Sequence, residues 1–249
     1  MRRLTHGLFA GLAALSLGAA ASAGQATVAV AANFLTTAER LAEAFAAETG
    51  HDVRLVHGST GKLYAQITAG APYDLFLSAD TARPARLQQD GRVAADARVP
   101  YAEGRLALVL RGTVRLSSTE AYLADPARRL AIADPAVAPY GIAAREVLQT
   151  ARGDTWDENL VFGESVGQAL AFLATGNAPG ALVALPQARA LAGDVTVIEI
   201  RADAHTPIRQ DAVLLARAAG NPAAAAFFAF LTGDAARAII RNAGYGVPP

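Results

Sequence analysis

Strand and helix patterns alternate along almost the whole chain, and that alternation leaves few folds open. The stretch Thr27–Ala31 is a continuous apolar run, as expected of a strand buried on both faces of a parallel sheet. From Leu35 the period changes, and Leu35, Ala38, Leu41, Ala42 and Phe45 fall on one helical stripe. Further strands are expected at Val53–Val56, Asp74–Ser78, Arg105–Leu110, Leu130–Ala133, Leu160–Phe162, Ala181–Leu185, Val195–Ile200 and Ala212–Ala216. Helices are expected at about Lys62–Ala69, Arg83–Asp90, Ile142–Thr150 and Gly167–Thr175, and from Pro186, with proline at the favoured first position. The stretch up to Arg129 is less regular, and Pro222–Asn242 reads as two helices broken around Thr232-Gly233. No repeat and no long linker interrupts the pattern. Any division into lobes must then be made by strands that cross between them, with Tyr101–Arg111 and Pro207–Arg217 as candidates.

Composition narrows the class. Apolar residues make up 53% of the 249, enough for a sizeable core. Part of that share lies at the N-terminus, where Arg2 and Arg3 precede an apolar run, Leu8–Ala20, that is short for a bilayer span. Ala21-Ser22-Ala23 follows as a small-x-small cleavage site, so residues 1–23 read as a secretory signal peptide and Gly24 as the first mature residue. The 22 basic and 22 acidic residues cancel, and no basic stripe suits a nucleic-acid backbone. There are no cysteines, which excludes disulfides, thiolate metal sites and cysteine nucleophiles. An exported chain without disulfides or a lipid-bearing cysteine fits the bacterial periplasm. Lys62 is the only lysine and reads as compositional bias toward arginine.

Four strand-to-helix junctions share a small, uncharged, donor-rich character. They are Ala32-Asn33, His57-Gly58-Ser59-Thr60-Gly61, Pro135–Gly141, and the loop Gly163–Gly167 with its single carboxylate, Glu164. The first N–H groups of a helix have no internal partner, and the helix dipole places positive potential there. Several such ends aimed at one point form an anion cage without a cationic side chain. Taken singly, each junction is more readily an ordinary cap or tight turn, since Asn, Ser and Thr are the usual caps.

The runs VAVAANF, GSTGKLYAQITAGAPYDLFLSAD, DPAVAPYGIAAREVL and GESVGQALAFL, with the ending GYGVPP, resemble the periplasmic molybdate-binding proteins of ABC importers across the mature chain. The resemblance implies an α/β fold of the two-lobed periplasmic binding protein type (type II), with mixed, mostly parallel sheets joined by two crossover strands. It implies a first lobe from residues 24–104 and 209–249 and a second from 105–208. It places the ligand on Ala32, Asn33, Ser59, Thr60, Tyr140 and Val166, with no cofactor and no metal cation. The ligand would be molybdate or tungstate, and the partner a membrane permease served by a monomer. Many family members have serine where this chain has Asn33, and some use a tyrosine where it has Ala184.

On this reading Asn33 gives a side-chain and a backbone N–H, Ser59 and Thr60 give hydroxyl and backbone donors, and Tyr140 and Val166 give mainly backbone N–H groups. A cage of donors alone suits a fully deprotonated dianion, since hydrogen phosphate also needs an acceptor. Sulfate is smaller than molybdate, so its contacts would lengthen in a rigid cage. Glu164 is expected to point outward or to cap the helix near Ser165, and Trp156 to sit near the second lobe. A binding protein for sulfate or thiosulfate is the alternative within the same fold, and a sensing module is a further one. A hydrolase is disfavoured, because Gly58-Ser59-Thr60-Gly61 lacks the Gly-x-Ser-x-Gly spacing and His57 reads as a surface residue. Gly61-Lys62 is followed by Leu63 and forms no phosphate-binding loop.

Overall fold

The computed structural model describes residues 24–248; the expected signal peptide, residues 1–23, lies outside them. Strand β1 (Gln25–Ala31) passes through one 3-10 turn (Ala32–Phe34) into α1 (Leu35–Thr49). Thr37, Ala38, Leu41 and Phe45 bury the inner face of α1, while Leu35 and Ala42 sit half-buried at its margins. Gly50 ends the helix at φ +72°, with its N–H on the Ala46 carbonyl, a geometry that glycine adopts without steric cost. Next come β2 (Asp52–Gly58), α2 (Thr60–Thr68), β3 (Leu75–Leu77), α3 (Ala82–Gln89) and β4 (Val93–Gly104). The chain then builds a second unit from β5 (Leu106–Arg111), α4 (Thr119–Ala124), β6 (Leu130–Ala133), α5 (Pro139–Arg152), β7 (Leu160–Gly163) and α6 (Val166–Ala174). Strand β8 (Gly180–Ala184), α7 (Leu185–Arg189) and β9 (Val195–Glu199) complete it. Strand β10 (Ile208–Leu215) returns to the first unit, followed by α8 (Pro222–Phe230) and α9 (Asp234–Ala243).

The strands form two five-stranded sheets, ordered β2-β1-β3-β10-β4 and β7-β6-β8-β5-β9. Both are mixed. Parallel pairing holds for half of the ladders in each rather than most: β1 with β2 and β3, and β6 with β7 and β8. The reason is connectivity. Strands β10 and β5 enter their sheets from the passage between the lobes, and each runs antiparallel to both neighbours. Only Arg105 separates β4 from β5, inside the expected first crossing. The second passage is Ile200–Pro207, earlier than expected, because β10 pairs wholly within the first sheet.

Period-two alternation explains how the first sheet is covered on both faces. Ala26, Val28 and Val30 of β1 pack with Phe34, Leu41, Phe45 and Phe227 on the side of α1, α8 and α9. Ala29 faces the other way, toward Leu63 and Ile67 of α2 and Leu87 of α3. Phe45 meets Phe227 edge-on at 5.1 Å between ring centroids, and burial of each such side chain contributes about 1.5–3 kcal/mol. The second sheet has one large cluster, and Ala31, Ala32 and Ala79 of the first lobe pack into it. The lobes are therefore in direct apolar contact beside the strand ends.

Three elements depart from the sequence expectation. Strand β4 begins eight residues before Tyr101, in a stretch carrying Arg98 and Pro100. It is an edge strand, where one row of side chains faces solvent and proline is tolerated; Pro100 stands opposite Asp211 at a register shift. Helix α4 lies in the irregular stretch, started by Ser118, whose hydroxyl accepts from the Ala121 N–H. Helix α7 starts at Leu185, so Pro186 occupies its second position.

Candidate functional site

The parallel strands bring their C-terminal ends together, the usual place for a site in an open α/β sheet. A small cavity of about 10 Å³ lies there, lined by Ala31, Ala32, Asn33, Ser59, Thr60, Ala79, Ala138, Pro139, Tyr140, Ser165 and Val166. All six residues expected at the site line it, from both lobes. No lining side chain carries a charge. Larger hollows at Thr119–Ala124 with Ile200, and at Ala79–Ala82 with Pro207, do not collect the four junctions.

The first turns of the helices show which donors remain at the cavity. In α2, the Gly61 N–H goes to the Val137 carbonyl, the Lys62 N–H to the Ser59 hydroxyl and the Leu63 N–H to the Ser59 carbonyl. That leaves Thr60. In α5, Gly141 and Ile142 both donate to the Ala138 carbonyl and Pro139 has no N–H, which leaves Tyr140. In α6, Gln168 donates to the Ser165 hydroxyl and Ala169 to the Ser165 carbonyl, which leaves Val166 and Gly167. Thr60, Tyr140 and Val166 are all buried. Buried N–H groups with no partner are costly, and helix N-termini favour an anion there.

The hydroxyls of Ser59 and Thr60 each accept one protein hydrogen bond, from the Lys62 N–H and the Ala79 N–H, so each keeps its own hydrogen to donate. Asn33 differs from expectation. Its side-chain amide turns inward and donates to Gln210 Oε1 at 3.1 Å and to the Tyr245 hydroxyl at 3.3 Å. Tyr245 in turn donates to the Asn33 carbonyl at 2.6 Å. With both amide hydrogens committed inside the first lobe, Asn33 meets the cavity through its main chain.

Burial holds the hydroxyls of Tyr101 and Tyr140 well above the ordinary phenol range and raises that of Tyr245 as well, so all three stay neutral.

The same architecture occurs in a known family. The model for bacterial extracellular solute-binding proteins matches residues 26–246. The chain belongs to that family. This solute-binding protein is 41% identical over 250 residues to the molybdate-binding protein ModA of Rhodobacter capsulatus, covering 98% of this chain and 99% of the relative. It is 40% identical over 252 residues to ModA of Azotobacter vinelandii, covering 99% and 98%. The solved periplasmic molybdate-binding protein of Azotobacter vinelandii matches with a TM-score of 0.83 at 38% identity, covering 90% of this chain and 100% of that one. The fold is thus the two-lobed type II arrangement of a solute-binding protein, not an enzyme. Ser59 accordingly bonds to a backbone N–H rather than to a histidine, and His57 is exposed.

Other residues of the solute-binding protein fall into place around the cavity. Glu164 points outward and pairs with Lys62 across the lobes; Ser165, not Glu164, caps α6. Asp74 and Asp80 are structural, accepting from the Thr27 N–H and the Arg83 N–H respectively. Ala79 and Ser165 line the cavity but were not among the expected ligands. Ser165 stood in one of the donor-rich junctions, which was the available signal. Gln210 and Tyr245 carried no signal, because they reach Asn33 from 177 and 212 residues away. Trp156 packs against the second-lobe core, its ring 6.4 Å from that of Phe162.

Proposed function

We propose that this protein captures molybdate, and tungstate with it, in the cavity between its lobes and delivers it to the membrane permease of an ABC importer. The observation that carries the reading is the convergence of leftover first-turn N–H groups from α2, α5 and α6 on one uncharged cavity. The ligand set is the main chain of Ala32 and Asn33, the N–H and hydroxyl of Thr60, the hydroxyl of Ser59, and the N–H groups of Tyr140 and Val166. The relatives' molybdate binding and the fully deprotonated dianion such a cage demands point the same way. A hydrogen bond to a charged acceptor contributes about 1.5–3 kcal/mol net. Five or six of them therefore reach the roughly 8 kcal/mol of a micromolar complex without a counter-charge.

The protein works as a periplasmic monomer after removal of residues 1–23. Its first lobe is 24–104 with 209–249 and its second is 105–208, a division supported by which strands share a sheet. Because donors come from both lobes, the anion favours the closed pair, and the closed pair is what the permease reads.

Calorimetric titration of residues 24–249 with molybdate, tungstate, sulfate and hydrogen phosphate, with Trp156 fluorescence in parallel, tests the reading. Molybdate and tungstate should bind one per chain, with sulfate much weaker and hydrogen phosphate undetectable. Sulfate binding as tight as molybdate would overturn it.

A further inference from the structure

Beneath the cavity lies a buried polar cluster that the ligand set does not use. Gln210, on β10, is fully buried. Its Oε1 accepts from Asn33 Nδ2 at 3.1 Å and lies 3.0 Å from the Tyr101 hydroxyl, which is also 3.1 Å from the Ser78 carbonyl. Phe34, the next residue of the 3-10 turn, is held edge-on between the rings of Tyr101 at 4.8 Å and Tyr245 at 5.0 Å. The turn that presents the main chain of Ala32 and Asn33 is thus clamped from below by groups that never reach the cavity.

Two atoms of this cluster are buried without a hydrogen-bond partner: Gln210 Nε2 and the Tyr140 hydroxyl. They come from different lobes and crowd the same space beside Gly104. A Cβ there would lie 2.9 Å from Gln210 Nε2 and 2.2 Å from the Tyr140 hydroxyl oxygen. Gly104 ends β4, pairs with Ile208 of β10 and leads directly into the second lobe. The two are not hydrogen-bonded to each other in this structure, but a donor N–H and a phenolic oxygen beside the same glycine are chemically matched.

We infer that Gln210 is a positioning residue for the oxyanion site, holding the Asn33 turn of the first lobe through its carbonyl and meeting Tyr140 of the second lobe through its amide at Gly104. The inference rests on the molybdate reading. Gln210 touches no ligand; it sets how far apart the two halves of the cage stand. That spacing decides whether a smaller tetrahedral dianion is gripped or left loose, so Gln210 acts on selectivity as well as affinity.

The test compares Kd for molybdate and for sulfate in the unsubstituted protein, Gln210→Met, Tyr140→Phe and the double variant. Gln210→Met keeps the volume and removes the amide. It takes away the acceptor used by Asn33 and Tyr101 together with the amide beside Tyr140, and should raise the molybdate Kd about tenfold, roughly 1.4 kcal/mol, and narrow the sulfate-to-molybdate ratio at least threefold. A merely structural role would leave that ratio unchanged, whatever the change in ligand-free melting temperature. Tyr140→Phe keeps the backbone donor and removes only the unpartnered hydroxyl. It should shift the ratio in the same direction with the ligand-free melting temperature held or raised, and the double variant should lose less than the product of the single losses. Native Kd values and native ratio in Gln210→Met overturn the inference. If that variant fails to fold, an unchanged ratio in Tyr140→Phe overturns it instead. Failure of the unsubstituted protein to bind molybdate while binding sulfate sinks the molybdate reading alone; the Gln210 effect is then read on the sulfate Kd. Binding of neither anion sinks both.

Discussion

Lys62 Nζ lies 2.5 Å from Glu164 Oε2, joining the first turn of α2 in one lobe to the loop before α6 in the other. The side chains are 48% and 69% exposed, so the pair is screened and worth little to folding, in the range of about 0–1 kcal/mol. Its position still matters, since it holds the Glu164 carboxylate outward and links the two lobes beside the cavity-lining Thr60 and Ser165. Lys62→Ala should raise the molybdate dissociation rate about two- to fivefold at low ionic strength, and the difference should vanish near 1 M salt. Stopped-flow displacement at both salt concentrations measures this.

Gly61 offers a sharper separation of closure from folding. Its N–H reaches the Val137 carbonyl across the lobes at 2.9 Å, and an added Cβ would stand 3.0 Å from that oxygen and 3.1 Å from Val137 Cα. Within α2 itself alanine is favoured over glycine by about 0.5–1 kcal/mol. Gly61→Ala should therefore leave the ligand-free protein as stable as before or slightly more so, while weakening molybdate binding at least tenfold. Urea unfolding without ligand and calorimetry with it show the two opposed effects; parallel losses would mean that Gly61 is only a packing residue.

Asn33 and Val166 should behave oppositely. Asn33→Ala removes two side-chain donors from a buried cluster and leaves Gln210 Oε1 short of a partner, so both the ligand-free stability and the affinity should fall, the former by about 1–3 kcal/mol. Val166→Ala keeps the backbone N–H that faces the cavity, so molybdate Kd should stay within about threefold. Melting curves and titrations of both variants decide.

The buried tyrosines predict an alkaline limit. Tyr101, Tyr140 and Tyr245 have folded-state values above the ordinary phenol value because burial disfavours the phenolate. The unfolded chain loses these protons first, from about pH 10, so the neutral form's stabilisation is whole below that pH and is lost progressively above it. Stability followed by urea unfolding should fall steeply above about pH 10, and Tyr245→Phe should flatten that fall. Between pH 6 and 9 none of the three should contribute a slope.

Much of the framework could be read from local pattern. The helix of α1, the strand Leu130–Ala133 and the break before α9 are set by apolar period and by glycine, which act over a few residues. The uncharged junctions could be read as anion donors because unpaired N–H groups at a helix start are a local property. Strand β4 escaped because an edge strand carries polar residues and proline at no cost. Lys62 escaped because its partner lies 102 residues away in the other lobe.

The amino-acid sequence by itself determined the α/β alternation, the caps and the donor-rich character of four junctions that hold a single carboxylate, Glu164, since each depends on neighbours a turn or less apart. Only the tertiary structure decided that these junctions meet in one cavity and that the first-turn N–H groups of Thr60, Tyr140 and Val166 are the ones left over there. It also decided that the Asn33 amide turns to Gln210 and Tyr245 rather than to the cavity. A side chain with two possible uses takes the one that distant strands bring within hydrogen-bonding reach, and no local pattern encodes that distance.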